Sequence, residues 1–161
     1  MPTEPRPTLP IAVLYERERQ PNRWQEWRFR LVDVQVDEGQ FGTEARTLRD
    51  DGSTRLFVHP GRPLTLFRDE CEGYYLNLTS GAPAWFVMWR TVEADPSELT
   101  TEFVTVSYNE AGRLLDAQEQ VENVPLPAPV CEWLAAYTDA HYEPEVKKRK
   151  RPVSFKAPHE R

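Results

Sequence analysis

Between Pro10 and Ser107 the chain is a series of short apolar-rich runs, several with apolar residues at alternate positions and one, AWFVMWR, apolar throughout as for a strand buried on both faces, and most runs close on a turn signal. A period of two is that of β-strands whose two faces meet different surroundings. PIAVLYERE reads as a first strand, and RWQEWRFRLVDVQV follows it. Within the second run Phe29 and Leu31 keep one phase, whereas Val32, Val34 and Val36 keep the other. A phase change inside one strand predicts a bulge or bend. DEGQFG closes that strand, TEARTLR continues, and DDGS turns the chain into TRLFVHP. PLTLFRD, GYYLNLTS, AWFVMWR and EFVTVS complete the series. In GYYLNLTS the alternation places Tyr74, Leu76 and Leu78 on one face and Tyr75, Asn77 and Thr79 on the other. Short strands at this spacing predict an antiparallel meander, closed as a barrel or folded as a sandwich.

After Thr105 the period lengthens. SYNEAGRLLDA opens with a capping box, in which Ser107 accepts from the Glu110 amide and Glu110 reaches back to the Ser107 amide. Ala111, Leu114 and Leu115 share one face. Pro129 then suits the first turn of a second helix. Val130, Trp133, Leu134, Tyr137 and His141 form its apolar stripe, which should dock on the sheet. The predicted class is therefore α+β, mostly an antiparallel β meander with two C-terminal helices. Residues 1–9, with three prolines, read as a flexible lead-in; 10–144 as a single domain; and 145–161 as a basic flexible tail.

Charge follows the same division. Residues 1–144 hold 13 Arg and 24 Asp or Glu, a balance of −11, whereas 145–161 hold seven Lys or Arg and two Glu, a balance of +5. An acidic body argues against nucleic-acid binding across a broad face. The N-terminus shows no secretory h-region, and no run approaches the roughly 20 apolar residues of a membrane span, so a cytoplasmic location is expected.

The densest cluster of reactive side chains is RDECEG, where Cys71 lies among Asp69, Glu70 and Glu72. Neighbouring carboxylates oppose thiolate formation, and the segment falls between two alternating runs. It reads as a hairpin connection with a solvated acidic face. Cys131 falls at the flank of the last helix's stripe, as a small hydrophobe. His59 precedes Pro-Gly and is expected in a turn; His141 closes the last helix, where the dipole favours a cation. No HExxH, CxxC, GxSxG or phosphate-cradling glycine motif occurs. No catalytic residue, metal ligand or cofactor is assigned, and the chain is not expected to be an enzyme.

Two features suit a partner instead. In NRWQEWRFR, Trp24, Trp27 and Arg28 are residue types that anchor interfaces, although both tryptophans packing at an end of the β domain is the plainer expectation. The block Lys147, Lys148, Arg149, Lys150 and Arg151 has no core pattern and suits an acidic protein surface, a polyanion or an anionic membrane.

The pieces PIAVLYER, NRWQEWR, LTLFRDECEGYYLNL, FVMWR, VTVSYNEAGRLLDA, VENVPLP and EWLAAYTDAHYEPEVKKRKRP, in this order from about Pro10 to Pro152, resemble the domain of unknown function 3305 family. That resemblance implies genes placed beside those of molybdenum-dependent formate dehydrogenase and its maturation. It therefore implies a non-catalytic accessory or adaptor protein whose partner is a formate dehydrogenase subunit or maturation factor. The alternative expectation is a polyanion- or membrane-surface-binding module acting through the basic tail.

Overall fold

The computed structural model describes residues 5–144. Four strands form one antiparallel sheet: β1 (Thr8–Arg19), β2 (Trp27–Val36), β3 (Arg46–Asp50) and β4 (Thr54–Thr65), in the order β2-β1-β4-β3. Three more form a second antiparallel sheet: β5 (Ala84–Val92), β6 (Asp95–Thr105) and β7 (Val121–Pro125), in the order β6-β5-β7. The helices are α1 (Cys71–Leu78), α2 (Tyr108–Asp116) and α3 (Ala128–His141). The fold is thus α+β and mostly antiparallel, with two sheets and no closed barrel.

The expected bulge in the second strand is present. Leu14 pairs with Asp33 and Tyr15 with Leu31, so Val32 is the extra residue. Before it Phe29 and Leu31 face the main core; Val32 joins a small cluster on the outer face with Ala12, Leu14 and Val58. The main core is aromatic. Tyr15 stacks on Phe57 at 5.5 Å, and Phe29 meets Trp89 of the opposite sheet edge-on at 5.7 Å. Such pairs add to the burial of their apolar area, which supplies about 1.5–3 kcal/mol per large side chain.

Two of the expected strand assignments fail, both for tertiary reasons. Pro60-Gly61 does not end a strand. Val13 pairs with His59 and Ile11 with Arg62, so the chain absorbs one extra residue as a bulge and β4 continues to Thr65. Gly61 supplies the left-handed backbone (φ +71°) and its amide donates to Asp37 Oδ2 at 2.7 Å. His59 therefore lies within a strand, half-buried, rather than in a turn.

The second failure is RDECEGYYLNL, which forms a 3₁₀ turn (Arg68–Glu70) and α1 instead of a hairpin and a strand. Its buried side chains, Cys71, Tyr74 and Asn77, fall three apart, which is helical spacing. The fully enclosed Asn77 explains why the helix wins. Its Nδ2 donates to the carbonyls of Ala84 (2.9 Å) and Val106 (2.8 Å), and its Oδ1 accepts from the Ala84 amide (3.0 Å). A side chain on the solvent face of a strand could not satisfy those buried groups.

The start of α2 is built against α1. Ser107 caps it by accepting from the Glu110 amide at 3.2 Å, as expected, but Glu110 does not complete the box. Its carboxylate accepts from the Thr105 hydroxyl (2.7 Å), and that hydroxyl oxygen accepts from the Ser107 amide (3.0 Å). Of the expected α2 face only Ala111 is buried; Leu115 is exposed. In α3, Val130, Leu134 and Tyr137 enter the main core as the stripe predicts.

Ser107 Oγ also donates to Glu70 Oε2 at 2.6 Å, and Arg113 donates to Glu70 Oε1 at 2.6 Å. This contact requires glycine at 73, because a Cβ there would lie 2.0 Å from Ser107 Oγ and 3.2 Å from the Asn109 amide nitrogen. Gly73→Ala is expected to cost about 1–3 kcal/mol by overpacking a hydroxyl already fixed by its hydrogen bonds. Urea unfolding measures it; an unchanged midpoint would show that α1 and α2 are not held this closely.

Candidate functional site

The sheets meet along two seams, and side chains close both. On the β4–β6 side, Thr101 is the hub. Its hydroxyl lies 2.7 Å from the Tyr15 hydroxyl and 2.8 Å from His59 Nδ1, and its carbonyl accepts from Arg62. Nearby, Arg55 pairs with Glu98 at 3.0 Å and Arg17 donates to the Ser97 carbonyl at 2.7 Å. Burial, reinforced by Arg62, pushes the His59 pKa down to about 4, so the ring is neutral at pH 7. Burial likewise raises the Tyr15 phenol well above its ordinary value. This seam is a structural network, in which only the buried Nε atoms of Arg17 and Arg55 lack a partner among the described residues.

On the other side β2 faces β7. There the Leu31 amide donates to Glu122 Oε2 at 2.6 Å. Below that point the edges diverge around a cleft of about 680 Å³. Trp27, Phe29 and Trp89 line it together with Arg28, Arg90 and Glu119. The Arg17 guanidinium stacks 4.0 Å from the Trp27 ring, and Arg90 forms a two-pronged pair with Glu119, its shorter contact being 2.6 Å.

The backbone of β2 is open here. Between Trp27 and Leu31 its register with β1 is regular, with Leu31 opposite Tyr15, Phe29 opposite Arg17 and Trp27 opposite Arg19. Antiparallel pairing turns alternate residues outward. Because the Leu31 amide points away from β1, those of Phe29 and Trp27 do too.

The turn before β2 carries Trp24, which is 88% exposed; its amide donates to Asn22 Oδ1 at 2.9 Å. Arg28 is exposed, and neither it nor Arg23 has an ion pair or hydrogen-bonded side-chain partner among the described residues. Of the residues singled out in the sequence, Trp27 and Arg28 line this cleft, with Trp24 close by in sequence. The two tryptophans do not pack alike: Trp27 is half-buried and Trp24 stands in solvent. Lys147, Lys148, Arg149, Lys150 and Arg151 lie outside the described residues. Sequence reasoning missed Trp89, Arg90, Glu119 and Glu122, which only the sheet pairing brings to β2. It also missed the loop that sets the two glutamates. There Gln118 takes the left-handed conformation (φ 62°) at a helix end of Schellman type, with Glu119 N bonded to Leu114 O at 3.0 Å and Gln118 N to Leu115 O at 2.9 Å.

Cys71 is buried, and burial first, then Asp69, pushes its thiol up. Glu70 is not part of a solvated acidic face but is tied to Ser107 and Arg113. Among the described residues no group of three or more His, Cys, Asp or Glu is placed to hold a metal ion. No helix among them is long and apolar enough to cross a membrane. A family model described as a protein of unknown function (DUF3305) matches residues 10–151. No curated protein and no solved structure matches the chain.

The seam gives a pH prediction with a definite sign. The folded pKa of His59, about 4, lies below the unfolded value of 6.5, so the unfolded chain takes up this proton first as pH falls. The His59 contribution to stability is present above pH 6.5 and is lost as pH drops toward 4. The difference in unfolding free energy between the native chain and His59→Gln should therefore shrink steadily across that window. Parallel curves would place the histidine in solvent.

Proposed function

From the chain's membership of the DUF3305 family, together with the geometry of the β2 edge, we propose that it is a non-catalytic accessory or adaptor protein that holds a protein partner at this edge. The observation that carries the reading is Trp24, 88% exposed near Arg23 and Arg28, whose side chains have no ion pair or hydrogen bond among the described residues, in a body with a balance of −11 over residues 1–144. Exposing a large aromatic ring to water gains nothing for folding, whereas Trp and Arg are the usual anchors of interfaces. The partner proposed is a subunit or maturation factor of a cytoplasmic molybdenum-dependent formate dehydrogenase, on the strength of the gene setting that the family resemblance implies.

The test is capture from the native host grown on formate, with the tagged chain as bait. Formate dehydrogenase subunits or their maturation factors are expected in the eluate. The double substitution Trp24→Ala with Arg28→Ala should reduce their recovery by about tenfold or more, as for the loss of interface hot spots, with little change in melting temperature. Removing residues 145–161 should leave recovery largely intact. Recovery that ignores the double substitution but disappears with the tail would overturn this reading in favour of binding through Lys147–Arg151.

A further inference from the structure

The cleft shows what its open edge accepts. Leu31, the last of three outward amides in a row, is already bonded to a carboxylate oxygen, that of Glu122 at 2.6 Å. The same row continues through Phe29 and Trp27, where no acceptor is present among the described residues. We propose that this stretch of β2 takes up an extended, acidic segment of a protein partner as an added antiparallel strand, a mode that rests on the adaptor reading above. Main-chain hydrogen bonds to Trp27 and Phe29 give the segment its register, and side chains give it selectivity.

The alternation of β2 defines the segment's chemistry. Arg28 and Arg30 are exposed on one face, and Arg28 has no ion pair among the described residues. Arg30 reaches Glu16 at 3.4 Å, with more than half of its side chain in solvent. Trp27 and Phe29 point to the other face, toward Trp89 and the cleft floor. An added strand alternates in the same way. Its carboxylates, two residues apart, meet Arg28 and Arg30, and the apolar residue between them meets the tryptophans. Two other occupants fit less well. A second copy of β2, paired about Phe29, would set Arg28 against Arg30, and like charges directly opposite destabilise a ladder. A basic segment would meet the same arginines.

The probe is a capped peptide of about six residues alternating glutamate and valine, a typical strand length. It is titrated into the full chain and followed by amide NMR. Binding should move the Trp27 and Phe29 amide resonances most. Methylating the peptide's backbone nitrogens on the pairing edge should weaken it by about tenfold, the effect of losing two main-chain hydrogen bonds. Arg28→Glu should weaken it similarly, and a lysine–valine peptide should not bind. No binding of the acidic peptide up to about 1 mM, where affinity becomes negligible, would overturn the proposal. So would equal binding of the methylated peptide, or a chain that dimerises through β2 in sedimentation. Those failures leave the adaptor reading standing if capture still depends on Trp24 and Arg28; if capture is also indifferent to them, both fall.

Discussion

Glu122 stands where a neighbouring strand would otherwise be. Two antiparallel sheets face each other across a single aromatic core, and their edges do not join by backbone pairing. A side chain must therefore satisfy what a ladder would have satisfied. At Leu31 a carboxylate does so, and at the opposite seam the Thr101 hydroxyl serves Tyr15 and His59 together. Both seams lie at the margin of the core that Tyr15, Phe29, Phe57 and Trp89 fill. Closing the sheets with point contacts instead of a ladder leaves β2 open beyond the last contact. The cleft is a consequence of how the core is shut.

The helical side of the molecule is tied together by side-chain hydrogen bonds. Asn77 supplies both donors and an acceptor to the backbone around β5 and the end of β6, and Glu70 joins the 3₁₀ turn to the first turn of α2. The groups there that invite chemical speculation, Cys71 and Glu70, are buried or bonded. Glu110, whose carboxyl burial pushes upward, is occupied by Thr105. Trp24 and Arg28, by contrast, stand exposed at and before β2.

Where local pattern and tertiary demand agree, the sequence is a reliable guide. The phase change at Val32 marks the bulge, the α3 stripe marks its buried face, and Ser107 marks a helix start. Where they disagree, alternation misleads. Tyr74, Leu76 and Leu78 alternate as a strand would, yet the burial of Cys71, Tyr74 and Asn77 decides for a helix. Pro60-Gly61 resembles a turn, but one extra residue opposite β1 accommodates it as a bulge. The candidate site was half visible. Trp27 and Arg28 announce themselves by residue type; Glu122 and Arg90 do not, because nothing in VENVP or FVMWR shows that the strands will face β2. The exposure of Trp24 depends on the shape of the turn that carries it, which no periodicity records.

Amide hydrogen exchange along β2 in the free chain tests the open edge most directly. Pairing with β1 should protect the amides of Arg28 and Arg30, and the Glu122 carboxylate should protect that of Leu31. The amides of Trp27 and Phe29 should exchange much faster than these neighbours, giving an alternating pattern that ends at Leu31. Uniform protection from Trp27 to Leu31 would mean that the edge is already covered, and would contradict the account.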